Sequence, residues 1–156
     1  KPLHKEGLII ETVTEVVKNM AGGDGEVTIK RILGEKELNG KCGLYAQVTI
    51  QPGSSLGYHE HKNESETYYI LSGTAEYNDN GTTRTVKAGD VTYTPDGCGH
   101  ALKPIGNEPV VFMALIIFDK FILETCKRTG YPKRQPVVKL AESFPISEAG
   151  PNVEDG

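Results

Sequence analysis

Between residues 26 and 118 the chain breaks into short β-rich runs, at 27–33, 44–50, 67–71, 74–77, 82–86, 91–94 and 110–118. Turn-forming residues separate them at Pro52-Gly53, Ser72-Gly73, Asp79-Asn80-Gly81, Ala88-Gly89-Asp90 and Pro95-Asp96-Gly97. Asn80-Gly81 between two such runs predicts a hairpin, because both residues tolerate positive φ. Many short strands with no helices alternating between them predict an all-β fold, an antiparallel sandwich or barrel. Ahead of this region, Val13, Val16, Val17 and Met20 recur at helical spacing and predict a short helix over 12–20, ended by Gly22-Gly23. The same stretch is β-branched at Thr12-Val13-Thr14 and Val16-Val17, which suits a strand equally well, so both readings stand. Past Phe118, residues 119–129 fit a helix with Phe121, Ile122 and Thr125 on one side. Lys127 and Arg128 fall in its last turn and Gly130 just beyond, as helix ends prefer. The organisation expected is an N-terminal extension (1–25), a β-barrel (26–118) and a C-terminal helix or tail (119–156).

A length of 156 residues fits one domain, and a hydrophobic share of 37% with 24% charged residues fits a folded globular one. The longest apolar run, 110–118, is far short of the roughly 20 residues of a membrane-spanning helix, so no membrane partner is expected. The visible start carries scattered charges and no apolar segment of the secretion-signal kind, which makes cytoplasmic the expected location. A net charge of −4 without clustered Lys and Arg argues against a nucleic-acid partner. Three cysteines, Cys42, Cys98 and Cys126, form no CxxC pair and predict reduced thiols.

The chemistry concentrates in two glycine-framed segments that hold three of the four histidines. The first runs from Gly53 through His59, His61 and Glu66 to Gly73, and the second from Gly89 through Pro95 and Gly97 to His100. Strand side chains alternate faces, so His59 and His61 point the same way, about 7 Å apart along the strand. Glu66 opens the next β-rich run, where its carboxylate can turn back to the histidine pair, and His100 enters from another strand. Three imidazoles and a carboxylate suit a borderline divalent transition metal such as Fe, Mn, Ni, Zn or Cu. Four protein ligands leave an octahedral ion two positions for a small-molecule ligand.

The first segment resembles the first cupin motif: glycine, five residues, His-x-His, four residues, glutamate, six residues, glycine. The second resembles the second cupin motif: glycine, five residues, Pro-x-Gly, two residues, histidine. The resemblance covers residues 44–118 and implies a double-stranded β-helix, or jelly-roll barrel. It also implies metal ligation by His59, His61, Glu66 and His100. One departure stands out: Pro104 occupies the place where the second motif usually ends in asparagine, which bears on the local loop shape. Similar cupins commonly form homodimers, and that is the expected assembly.

Other residues carry weaker readings. Tyr68 and Ile70 share parity with Glu66 and are expected to line the interior, Tyr68 as a possible acid or hydrogen-bond donor beside Glu66. Gln47 shares parity with Tyr45 and Thr49 and could face pocket or solvent. Cys98 reads as a loop thiol near the site, His4 as unrelated to it, and Glu60 and Glu64 as solvated charge. An ion balanced by one carboxylate would attract a small chelating anion or oxygen-rich metabolite. Similar cupins include dioxygenases, decarboxylases, isomerases and lyases. A metal-dependent enzyme with dioxygenase-type chemistry is the first expectation, and a non-catalytic binding or sensing protein the second.

Overall fold

A computed structural model describes residues 9–119. Ten strands form two antiparallel sheets: β1 (Val13–Lys18), β2 (Glu26–Arg31), β3 (Cys42–Ile50), β4 (Leu56–Glu60), β5 (Glu64–Ser72), β6 (Thr74–Asp79), β7 (Thr82–Lys87), β8 (Val91–Thr94), β9 (Gly99–Pro104) and β10 (Val110–Phe118). The larger sheet runs β1-β2-β3-β10-β5-β8 and the smaller β4-β9-β6-β7. Among the described residues, helical pieces are confined to a 3₁₀ turn at Met20–Gly22 and one turn of α1 (Glu35–Leu38). No helix among the described residues is long and apolar enough to cross a membrane.

Alternation builds the core. On β3 the buried residues are Ala46, Val48 and Ile50, on β5 Tyr68 and Ile70, and on β10 Val110, Phe112 and Ala114. These meet Leu56, Ala75, Tyr77, Val86 and Leu102 from the smaller sheet. Fully burying one such Leu, Ile or Phe contributes about 1.5–3 kcal/mol, so the facing apolar rows hold the sheets together. Gln47 falls on the opposite face of β3 from this row, half-buried, and does not line the interior.

The hairpin expected at Asn80-Gly81 is present: Asp79 pairs with Thr82, and Asn80 and Gly81 sit at φ 48° and 96°. Residues 13–18 form a strand, not a helix, paired over its whole length with β2. Its β-branched residues fit a pleated edge, and the Glu15–Arg31 ion pair at 2.9 Å fastens it. Thus part of the stretch expected as an extension belongs to the larger sheet. Pro104 closes β9 opposite Ala75, after which Gly106 turns the chain at φ 85°. A proline at a strand's end gives up no interior ladder bond. His4, Cys126 and the helix or tail expected after residue 119 lie outside the described residues, whereas Cys42 and Cys98 are free thiols.

Candidate metal centre

His59, His61, Glu66 and His100 converge at one point between the sheets. His59 sits on β4 directly opposite His100 on β9. His61 follows the end of β4, held in line by backbone bonds: its N–H donates to Cys98 O at 2.9 Å, and Gly97 N–H donates to His61 O at 2.9 Å. The turn that follows needs Asn63 in the left-handed region, φ 66°, before β5 brings Glu66 inward. His61, Glu66 and His100 are buried, and His59 keeps 27% side-chain exposure.

All three rings present Nε2 to the centre. His100 Nε2 lies 3.0 Å from His61 Nε2 and 3.1 Å from His59 Nε2. Glu66 Oε2 lies 2.8 Å from His61 Nε2, 3.0 Å from His100 Nε2 and 3.8 Å from His59 Nε2. Four lone-pair atoms at such separations repel unless a cation lies among them. An ion bound at about 2.1 Å makes edges of about 3.0 Å between ligands at right angles, so the donor set fits one.

The outer ring nitrogens of His59 and His61 fix the tautomers of those rings. His59 Nδ1–H donates to Gly57 O at 2.9 Å and His61 Nδ1–H to Glu64 Oε1 at 2.8 Å. His100 Nδ1 lies 3.0 Å from Tyr77 Oη and 2.9 Å from Thr94 Oγ1, both buried hydroxyls. With Nδ1–H spent outward, the neutral rings of His59 and His61 keep their Nε2 lone pairs for the centre, and His100 does the same when its Nδ1–H donates to one of the two hydroxyls. Glu64 is therefore not the solvated loop charge its polar neighbours suggest. It begins β5 and shares parity with Glu66, the signal that could have placed it. Tyr77 and Thr94 carried no comparable sequence signal, because the register between strands brings them to His100. Glu60 is exposed, as expected, and Cys98 contributes its carbonyl to His61, not its thiol to the four donors.

In the metal-free protein burial pushes the Glu66 carboxyl up, but the imidazoles of His100, His59 and His61, able to carry protons on Nε2 there, together hold it well below the carboxylate range. The bond to Glu66, aided by Glu64 and opposed by burial, raises His61. Burial lowers His100, and burial followed by the Glu66 charge raises Tyr68 well above the usual phenol. Tyr68 stays protonated, its O–H 3.2 Å from His100 Nε2 and 3.5 Å from Glu66 Oε2. Glu66, Tyr68 and two of the histidines line a cavity of about 170 Å³ whose remaining walls are apolar, including Leu56, Phe112 and Ile116. At roughly 30 Å³ per water-sized group it has room for about half a dozen. A larger hollow of about 330 Å³ lies between β7 and β8 and includes none of the four donors.

A family model described as "Cupin domain" matches residues 46–118. The "Oxalate-binding protein" of Thermotoga maritima is 41% identical over 107 residues, spanning 69% of this chain and 88% of the relative. "Oxalate decarboxylase OxdC" of Bacillus subtilis is 38% identical over 81 residues, but these are 49% of this chain and 21% of that protein. Among solved structures, a predicted oxalate decarboxylase from Thermotoga maritima matches with a TM-score of 0.66 at 41% identity, over 69% of this chain and 94% of that one.

Proposed function

This chain belongs to the cupin family, and from that premise we propose that it binds a small dicarboxylate, oxalate in the first instance, at one divalent transition metal held by His59, His61, Glu66 and His100. The observation that carries this reading is the convergence of three imidazole Nε2 atoms and one carboxylate oxygen beside a small apolar cavity. Neutral imidazoles with a carboxylate suit Fe, Mn, Ni or Zn. With Glu66 ionised, a divalent ion there retains about one positive charge, which favours an anion entering an otherwise apolar space. The ion would supply Lewis-acid polarisation of a chelated oxygen. The chain's own residues do the rest: the apolar walls exclude water, and Tyr68 offers a hydrogen bond from a hydroxyl that stays protonated.

Binding without turnover is the reading we favour. Among the described residues lining the cavity, the ionisable groups are His59, His61, Glu66 and Tyr68, three of them donors, and a protonated Tyr68 is no base. If turnover occurs, Glu66 and Tyr68 are the groups in position to assist it. The relatives' names favour oxalate chemistry over the dioxygenase-type reaction expected from the resemblance.

The test starts with untagged protein, purified without a nickel column, analysed for metal by elemental mass spectrometry. Calorimetric titration with oxalate then compares metal-loaded and chelator-stripped protein. Near-stoichiometric metal and metal-dependent oxalate binding support the proposal. No metal after reconstitution, or oxalate binding indifferent to metal, sinks it. Formate and carbon dioxide appearing during titration transfer the assignment to decarboxylation, and oxygen uptake with carbon dioxide and hydrogen peroxide released transfers it to an oxidase.

A further inference from the structure

The lining of the cavity divides by burial. Ile29, Val48, Leu56, Phe112 and Ala114 are buried, whereas Met20, Leu44, His59 and Ile116 keep partial exposure and so form its rim. Leu44, His59 and Ile116 stand on strands; of these four Met20 alone stands on the connection 19–25 between β1 and β2, at the start of its 3₁₀ turn.

That loop is clamped. Asn19, Ala21, Gly22 and Gly25 all lie in the left-handed region, at φ 48°, 52°, 79° and 63°. A left-handed alanine is strained and persists only where its surroundings impose it. Here they do: a Cβ on Gly57 would run into the Ala21 carbonyl oxygen, and one on Gly23 into that of Ser55. The two backbones therefore lie in direct contact. Ser55 N–H donates to Asp24 O at 2.9 Å, and Asp24 N–H to Ser55 Oγ at 2.9 Å. The segment so gripped leads into β4, which carries His59.

From this placement we propose that Met20 is the specificity-determining residue of the cavity, setting the largest ligand that reaches the four donors. The clamp fixes where its side chain starts, the unbranched thioether lines the cavity, and the donors' outer hydrogen bonds go to Gly57, Glu64, Tyr77 and Thr94 instead. The proposal rests on the metal reading above but not on oxalate being the ligand.

Cobalt-loaded protein tests it, with visible absorption following azide, benzoate and oxalate added separately to wild type, Met20→Ala and the bulk-conserving Met20→Leu. Wild type and Met20→Leu are expected to bind azide and exclude benzoate. Met20→Ala is expected to gain at least tenfold in benzoate affinity, with azide within twofold. Benzoate binding to wild type as readily as to Met20→Ala, or benzoate still excluded from Met20→Ala, overturns the gate. Absence of oxalate binding alongside the expected benzoate gain refutes the oxalate assignment and leaves the gate standing. Failure to take up cobalt refutes the metal reading and the gate together.

Discussion

His59 and His100 are direct partners across the β4–β9 ladder, with their Nε2 atoms 3.1 Å apart. Opposed residues on neighbouring strands have their Cβ atoms about 5 Å apart on one face, so this register alone aims both rings at one point. Glu66 arrives from the other sheet, where its own direct partners are Thr94 and Ile116. The centre thus bridges the two layers.

Glu66→Gln removes the charge that the three imidazoles share. Metal affinity is expected to fall by more than the ~100-fold that outer partners reach, while the barrel stays folded. Chelator competition with circular dichroism checks both parts, and wild-type affinity in the variant would refute Glu66 as a ligand.

Glu64→Gln weakens the acceptor behind His61 without touching the four donors. A ~10–100-fold loss of metal affinity is expected, against no change for the exposed Glu60→Gln. Equal behaviour of the two variants would mean that Glu64 does not tune the site.

Proton competition sets the pH dependence. Because the folded protein raises His61 above its ordinary value, metal must displace a proton there, and apparent affinity should begin to fall above pH 6.5 on acidification. Proton release during metal titration in weak buffer reads this directly. In metal-free protein the depressed Glu66 contributes stability above its ordinary 4.5, lost as the pH falls toward its folded value. The acid-side fall in Tm should therefore be shallower in Glu66→Gln, and an unchanged slope would contradict it.

Tyr77→Phe leaves Thr94 as the hydrogen-bond partner of His100 Nδ1, and Thr94→Val leaves Tyr77. Each single change is expected to cost less than ~10-fold in metal affinity, and the pair more than their product, since the last partner goes. Additive effects in the double-mutant cycle would show that the two hydroxyls act separately.

The four donors were legible because ligand chemistry demands particular side chains at fixed offsets within short segments. Their outer partners were less so. Glu64 had the parity of Glu66, but polar neighbours made residues 62–65 read as a loop. Tyr77 and Thr94 meet His100 only through pairing between strands distant in sequence. Strands β4 and β9 were expected only through the histidines placed on them and not as β-rich runs, because glycines and histidines dilute their β-rich character. The helical spacing at 13–20 left helix and strand equally open because three valines and a methionine on an edge strand are not obliged to face a core; Val13 and Val16 are exposed.

The position of β10 between β3 and β5 has a consequence for synthesis on the ribosome. Every donor precedes residue 110, so all four leave the ribosome before the strand that joins the two halves of the larger sheet. Until β10 inserts, β1-β2-β3 and β5-β8 have no common neighbour, and Glu66 hangs from a two-stranded fragment. A nascent chain can display its His-x-His early, but the spacing of the donors is completed only when its last described strand is in place.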